Sequence, residues 1–552
     1  MPGYRPQPGR LAGARLPLAL AANDFPPLSL ARISRMKPLS TSIYTFEKLI
    51  SGGFLYVDKT AHIHRLLEPA SAQYFLARPR RFGKSLLVST LKVIFEGRRD
   101  LFEGLAIAKL PYDWKTHPVI HLDMGDCAAD CGADLEQALR ELVDAHAEEF
   151  SVPLHNAKAS SRLRELIQKL CKRGERVVIL VDEYDKPLLG HLGKKSVTGI
   201  QKVLKNFYSV IKTTEAQQRF VLLTGVSKFS KVSVFSDLNN LTDLTMQADA
   251  ATLLGYTQEE LEGCFVEYLK RLASALGWSR DKTLDELRIW YNGYRFHHAA
   301  PTVYNPVSAM KCLMEREFKN YWFETGTPSF LVELLKKKPV DFGNLIVSEA
   351  AFSTYEVDAL EPLPLLVQTG YLTIQRMEML GTRRQFQLGY PNREIEQSFA
   401  DSLAQGYCSL PAEELNSALR RIIAALREDD IEAALEQMKI FFAAVPYDIT
   451  LKNEKYYQTI FFVVFKLLGA CIEAESRTGQ GRIDAVVKTP GRIFILEFKL
   501  FGTAAEALAQ IKAKRYYEPY LSDGRPVVLV GAAFDATTRN LEQWLVEEPY
   551  SY

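Results

Sequence analysis

The chain has 552 residues, more than one hydrophobic core usually serves, so two to four domains are expected. Apolar residues make up 47 % and charged residues 24 %, which excludes a disordered or fibrous protein, and no apolar run approaches the ~18 residues of a membrane span. A net charge of +2 excludes a whole-surface field for nucleic acid, so any such contact must use a local patch.

Seven cysteines, Cys127, Cys131, Cys171, Cys264, Cys312, Cys408 and Cys471, are odd in number and widely spaced. That pattern argues for reduced thiols in a cytoplasmic protein. Cys127 and Cys131 lack a second Cys/His pair at zinc-site spacing. Residues 1–36 stand apart, with Arg5, Arg10, Arg15, Arg32 and Arg35 against the single acid Asp24. The run from Leu16 to Ala22 mimics a targeting signal, but it is short and contains Pro17. A disordered or mis-started tail, with Met36 as the working start, is expected.

From 37 to 249, short apolar segments at 74–77, 118–122, 177–181 and 220–223 alternate with helical stretches such as 84–95 and 135–150. Such alternation predicts a parallel sheet covered on both faces. Val177-Val178-Ile179-Leu180-Val181 is apolar throughout, as a central strand buried on both sides requires.

Arg78-Pro79-Arg80-Arg81-Phe82-Gly83-Lys84-Ser85 follows the first of these strands and opens a helix with apolar Leu87, Leu91, Ile94 and Phe95. Phosphates need converging backbone N–H donors, a lysine charge and a hydroxyl on Mg²⁺, and this turn supplies all three. Arg78 stands where the general pattern has its first glycine, so a basic surface turn is the competing reading. The strand 177–181 ends in Asp182-Glu183, which places one carboxylate near Mg²⁺ and the next near an attacking water. Two acids merely ending a strand is the alternative. After 220–223 comes Thr224-Gly225-Val226-Ser227-Lys228, where Ser227 is a candidate to sense a γ-phosphate or orient water.

Residues 250–338 are expected to be helical and are rich in aromatics. Leu261, Phe265, Leu269 and Leu272 recur at helical spacing, which predicts one amphipathic helix over 259–276. Residues 339–430 mix short elements with a helical run at 413–426. The last region, 431–552, opens with helices at 431–444 and 455–468. Strands at 483–487 and 492–498, a helix at 504–517 and a strand at 526–530 follow.

Residues two apart on a strand share a face, so Glu497 and Lys499 project together while Phe494, Leu496 and Phe498 point the other way. A hairpin turning at Thr489-Pro490-Gly491 would bring Asp484 near Glu497. Carboxylates that hold divalent ions, beside a lysine that orients hydroxide or stabilises developing charge, suit metal-assisted phosphodiester cleavage. Gln510 follows on a helix with Lys512, Lys514 and Arg515, a basic patch suited to phosphates. An inert core that kept these charges as surface pairs is the competing reading. Glu454 and Glu475 are further acids, each more simply read as solvated.

Tyr56-Val57-Asp58-Lys59-Thr60, the loop from Arg78 to Leu87, Val181-Asp182-Glu183-Tyr184-Asp185-Lys186-Pro187, and GVSKFSKVSVFSDLNNL from Gly225 to Leu241 occur in order. Trp290-Tyr291-Asn292-Gly293-Tyr294-Arg295-Phe296 and Tyr304-Asn305-Pro306 follow. In these motifs the chain resembles the bacterial AAA-ATPase-like family, within which the Arg-Pro-Arg-Arg loop is typical. Members are usually fused to a C-terminal PD-(D/E)xK nuclease domain. Gly481-Arg482-Ile483-Asp484, Glu497-Phe498-Lys499 and Gln510 resemble that domain's core.

The resemblance implies an α/β chain: a P-loop NTPase core, a parallel sheet flanked by helices, at 37–249. A helical lid at 250–338, a connecting region at 339–430 and a small α/β restriction-endonuclease-like domain at 431–552 would follow. It implies ATP and Mg²⁺ as cofactors, held by Arg81, Phe82, Gly83, Lys84 and Ser85, with Asp182 on Mg²⁺ and Glu183 activating water. It implies Asp484, Glu497 and Lys499 in metal-dependent cleavage. Arg295 stands either as a γ-phosphate contact from the lid or as an arginine packed on Trp290 or Tyr294. Lys228 carries the same ambiguity. The expected function is an ATPase controlling a nuclease on DNA or RNA, with a homo-oligomer as a further expectation. The alternative is a nucleotide-switched nucleic-acid or protein-binding module with a degenerate nuclease domain.

Overall fold

The computed structural model describes residues 36–550 except 193, 229–239, 323–328, 339, 341, 343–344, 353–360, 408–411, 444–471, 474–476, 479–480, 483–484, 500–501 and 536–539. The tail, the helix expected at 455–468, Asp484, Glu454, Glu475, Cys408, Cys471 and most of the motif after Lys228 therefore lie outside the described residues.

The front half is built on five parallel strands: β1 (Ala72–Ala77), β2 (Val119–Asp123), β3 (Val177–Asp182), β4 (Gln218–Gly225) and β5 (Thr242–Asp243), in spatial order β2-β3-β4-β1-β5. Alternation along each strand divides its side chains between two cores. Leu76, Val178, Leu180, Phe220 and Leu222 face the helices α1 (Phe46–Ser51), α2 (Thr60–Leu67) and α3 (Lys84–Phe95). Phe75, Ala77, Ile179, Val181, Val221 and Leu223 face α4 (Gly132–Glu149), α5 (Ala159–Cys171) and α7 (Val197–Thr213), with the single turn α6 (Lys186–Leu189) between α5 and α7. Val177–Asp182 is buried throughout, which explains its unbroken apolar sequence. Because all strands run one way, the turns after β1, β2, β3 and β4 meet at one edge of the sheet, where open α/β sheets bind ligands.

Four helices follow: α8 (Gln258–Cys264), α9 (Val266–Leu276), α10 (Arg280–Tyr291) and α11 (Pro306–Glu315). The single helix expected at 259–276 is two, broken at Phe265 with φ −109°. Leu261, Phe265, Leu269 and Leu272 nevertheless all enter one core with Leu39 and Val57, so the apolar spacing survived the break. α8 starts in a reciprocal cap between Thr257 and Glu260. Glu260 also accepts from Lys59 Nζ at 2.6 Å, which ties these helices to the front sheet.

A three-stranded antiparallel sheet of β6 (Ile346–Ser348), β7 (Thr373–Leu380) and β8 (Arg383–Gly389), in order β6-β8-β7, comes next. It is accompanied by α12 (Ser329–Lys337), α13 (Pro362–Thr369) and α14 (Arg393–Tyr407). Helices α15 (Ala412–Arg427) and α16 (Ile431–Ala443) pack on each other and lead to the rear sheet. That sheet joins β9 (Ile472–Glu473), β12 (Ala485–Lys488), β13 (Ile493–Lys499), β14 (Val527–Phe534) and β15 (Leu541–Tyr550) in order β15-β14-β13-β12-β9. A separate two-stranded pair, β10 (Arg477–Thr478) with β11 (Gly481–Arg482), lies between β9 and β12 in sequence. The helix α17 (Ala504–Ala513) covers one face of the rear sheet. It ends four residues short of the expected 517, with Lys514 as its cap and Arg515 at φ +52° turning the chain away.

Candidate functional site

At the common edge of the front sheet the loop after β1 borders a cleft of about 570 Å³. Gly83 opens α3 at φ +91°, a conformation glycine adopts without strain, and open space lies where a Cβ would stand. The first backbone N–H groups of α3 have no helical carbonyl to bind, so this end suits an anion. Arg80, Arg81, Phe82, Gly83, Lys84 and Ser85 all line the cleft, and Glu183 and Lys186 face them from the end of β3. The other end is apolar, with Ile43, Tyr44, Leu254, Tyr256 and Met310. Cleft size, a cationic helix start and an apolar end fit a nucleoside triphosphate.

Lys84 is buried, and its Nζ donates to the carbonyls of Arg78 at 3.0 Å and Pro79 at 2.9 Å. Burial pulls its ammonium below the usual lysine range, while Asp182, Asp185 and Glu183 pull it back up. Asp182 Oδ1 accepts from Thr224 Oγ1 at 2.6 Å and from the Glu183 N–H at 3.0 Å. A carboxylate and the Ser85 hydroxyl are hard oxygen donors of the type Mg²⁺ takes. Glu183 has φ +52° and accepts from Lys186 Nζ at 3.2 Å.

Sequence reasoning missed what holds Glu183 there. The Tyr184 N–H donates to the Thr224 carbonyl at 2.9 Å, and the Tyr184 hydroxyl to that of Ser227 at 2.7 Å. Asp185, buried, accepts from the N–H groups of Val226 at 3.1 Å and Ser227 at 2.7 Å. Burial pushes the Asp185 carboxyl up to about 6, against those N–H groups and Lys84. Asp123, at the end of β2 in register with Asp182, is a third acid at this edge. Burial raises its pKa. The one available signal was an acid ending a strand, which is common.

Four further residues have defined places. Arg78 is no surface turn residue: it is buried, donates to the carbonyls of Ala77, Thr245 and Ala250, and lies 4.0 Å over the Phe296 ring. It anchors the loop from behind, which explains why arginine stands in a glycine position. Arg295 does not line the cleft; its Nη1 donates to the Gln375 carbonyl at 2.7 Å, and Arg393 occupies the face of Trp290 at 5.6 Å. Ser227 is likewise buried and outside the cleft lining, fixed through its backbone. Lys228 pairs with Asp243 at 2.5 Å, and its N–H donates to Gln368 Oε1 at 2.8 Å.

In the rear sheet the expected hairpin is present: Ala485 pairs with Leu496 and Lys488 with Ile493 across the turn at 489–491. Phe494, Leu496 and Phe498 enter one core; Ile493 and Ile495, on the face of Glu497 and Lys499, pack with Leu508 and Ile511 of α17. Glu497 is in register with Gly531 of β14. A Cβ at Gly531 would lie 2.3 Å from the Ala504 carbonyl, so this glycine lets α17 lie directly on the sheet. Gln510 thereby reaches both partners, donating to Glu497 Oε1 and accepting from Lys499 Nζ at 2.5 Å. Lys499 Nζ is 3.9 Å from Glu497 Oε1. The expected basic patch is largely neutralised, with Lys512 paired to Glu547 at 2.6 Å and Arg515 to Glu518 at 3.3 Å. Among the described residues no group of three or more His, Cys, Asp or Glu is placed to hold a metal, and the described acid of this cluster is Glu497.

A phosphate-binding loop on a parallel sheet with acids at the neighbouring strand ends defines a P-loop NTPase fold, here followed by a small mixed α/β unit. Residues 40–235 match the family described as predicted AAA-ATPase, and residues 452–544 match the PD-(D/E)XK nuclease superfamily. The chain is 37 % identical over 525 residues to the "Uncharacterized protein in vnfD 5'region" of Azotobacter chroococcum mcd 1, covering 93 % of this chain and 99 % of that one. It belongs to this family of AAA-ATPase-like proteins with a C-terminal PD-(D/E)XK nuclease superfamily domain.

Solved structures overlay weakly. The Aeropyrum pernix ORC1 protein in complex with DNA is 14 % identical at a TM-score of 0.23, over 62 % of this chain and 92 % of that one. Pyrobaculum aerophilum Cdc6p is 10 % identical at 0.24, over 68 % and 96 %. Among the described residues no helix is long and apolar enough to cross a membrane.

Proposed function

We propose that the chain hydrolyses ATP at the front cleft and cuts nucleic acid, DNA or RNA, at the rear cluster, with the first site controlling the second. The observation that carries it is the convergence of Lys84, Ser85 and Glu183 on one cleft, on a chain that also gathers Glu497, Lys499 and Gln510. In this reading α3 and Lys84 hold the phosphates, and Arg81 and Arg80 add charge beside them. Lys84 leaves the loop carbonyls as the phosphates arrive. The Glu183 carboxylate takes the proton of the attacking water, and Lys186 holds that carboxylate in place beforehand. Mg²⁺, when bound at Ser85 and Asp182, neutralises phosphate charge.

At the rear, Glu497 and Asp484 would hold a divalent ion, Lys499 would orient the nucleophile, and Gln510 would fix both Glu497 and Lys499. Such an ion would supply positive charge to offset that developing on the departing oxygen. A cytoplasmic setting and assembly of several copies belong to the same proposal.

A second reading has one observation in its favour: Lys84 and Glu183 are each already engaged by protein groups. That suits a nucleotide switch with slow turnover and a degenerate rear site. Two assays separate the readings. ATP binding and turnover are measured for wild type and Lys84→Ala; unchanged affinity in the variant would remove the front site. Mg²⁺-dependent cleavage of DNA and RNA is measured for wild type, Asp484→Ala and Lys499→Ala. Equal activity in all three, or none in wild type, leaves the switch.

A further inference from the structure

The hairpin of β7 and β8 lies between the two matched regions and belongs to neither site. Its base is buried at Ile374 and Leu388, while Arg376 and the residues from Glu378 to Arg384 are exposed. The turn is Gly381-Thr382, closing the pair Leu380 and Arg383. Met379 and Leu380 are 55 % and 64 % exposed, among the most exposed large apolar side chains described.

Cross-strand partners share a face and neighbours alternate. The register therefore sets Met379 beside Arg384 on one face and Leu380 beside Arg383 on the other. Each face of the tip carries one apolar side chain and one arginine. A flat protein surface would engage one face and leave the arginine and apolar side chain of the other without a contact. A groove with two anionic walls engages both.

We infer that this hairpin is a contact for double-stranded DNA, entering the groove tip first. The major groove of B-form DNA admits a two-stranded ribbon and offers base edges and thymine methyl groups at its floor. Arg384 with Met379 meets one wall and Arg383 with Leu380 the other, the arginines at phosphates and the apolar side chains against the sugars, while the turn Gly381-Thr382 points to the floor. Two ion pairs oppose this, Arg384 with Glu349 at 3.2 Å and Arg376 with Glu378 at 2.9 Å. Both are solvent-exposed, and exposed pairs of this kind are weak enough to yield to phosphate. A-form RNA has a major groove too deep and narrow for the same entry, so the hairpin selects DNA. The inference rests on nucleic acid as the partner class and not on hydrolysis or cleavage.

The test uses the full chain in EDTA without ATP. Binding to a labelled DNA duplex, to an RNA duplex of the same sequence and to anionic lipid vesicles is titrated over a range of salt. Arg383→Glu with Arg384→Glu is expected to weaken DNA binding at least about tenfold and to reduce the salt slope by about two. Met379→Ser with Leu380→Ser is expected to weaken it several-fold with the slope unchanged. ATP binding equal to wild type in both variants serves as the check that they fold. The inference is overturned if wild type does not bind duplex DNA, if both variants bind it as wild type does, or if RNA or vesicles are bound more tightly. Hairpin-dependent DNA binding without any cleavage would retain this inference and remove the nuclease reading.

Discussion

Glu183 sits at φ +52°, a conformation that costs a non-glycine residue about 1 kcal/mol or more and persists only when its surroundings enforce it. The bonds from Tyr184 and Asp185 to the end of β4 do so, and they aim the carboxylate into the cleft. Glu183→Gln should therefore lower ATP turnover about 100- to 1,000-fold with ATP binding retained, since it removes the base and leaves the backbone knot. Equal loss of binding and turnover would instead make Glu183 a binding residue. Beneath the loop, Glu394 is fully buried and accepts from the Trp322 N–H at 2.7 Å. Burial pushes its carboxyl up to about 7, against that N–H, Ser308 and Arg81. The folded chain thus holds this proton more tightly than the unfolded one. Its stabilisation is complete below about pH 4.5 and is lost as pH rises through about 7. Glu394→Gln removes that loss, so the variant should gain up to roughly 3 kcal/mol over wild type between pH 5 and 8. Urea unfolding at both pH values measures it; a gap between the chains that does not change with pH would contradict it. The loop's place at the start of α3 was legible because Gly83-Lys84-Ser85 follows an apolar strand and precedes an apolar helical period. The destinations of Arg78 and Arg295 were not, because a long cation's partners lie far away in sequence.

Elements with a strong period were legible: the apolar strands of the front sheet, α3, and the hairpin of β12 and β13. The short or mixed ones were not. β5 is two polar residues, β6 is only the three residues Ile346–Ser348, and β15 runs LEQWLVEEPY without clean alternation, so nothing local marks them. The apolar spacing of 261–272 fits one helix or two, since a break at Phe265 keeps every apolar residue on the same core. In the rear unit, the distance from Gln510 to Glu497 depends on how closely α17 approaches β14, and Gly531 sets that approach. Gly531→Val should push the helix off the sheet at a cost of about 1–3 kcal/mol. It should also abolish cleavage while leaving ATP turnover intact. Retained cleavage in that variant would show that Gln510 has no part in the chemistry.

Across the whole molecule the nucleotide loop is bound to the segment that follows the helices, not only to its own sheet. Arg81 donates to the Tyr321 carbonyl at 2.8 Å, Phe82 packs edge-on against Tyr294 at 4.8 Å, and Pro79 abuts Gly370. The Lys228 N–H, at the end of β4, donates to Gln368 of α13. One apolar core continues from α3 through α13, α14 and α16 to β13 and β14. Movement of the loop on binding phosphate would therefore have a packed route toward the rear unit, which is the physical ground for the proposed control of one site by the other. The sequence disclosed both domains but not this route, because it is made of contacts between residues far apart in the chain. The direct test is Mg²⁺-dependent cleavage of one DNA substrate by wild type, Lys84→Ala and Glu183→Gln, each with and without ATP. ATP should change the wild-type cleavage rate by at least about tenfold and leave Lys84→Ala unaffected. Cleavage that ignores ATP in wild type and matches Lys84→Ala under both conditions would contradict control of the nuclease by the ATPase.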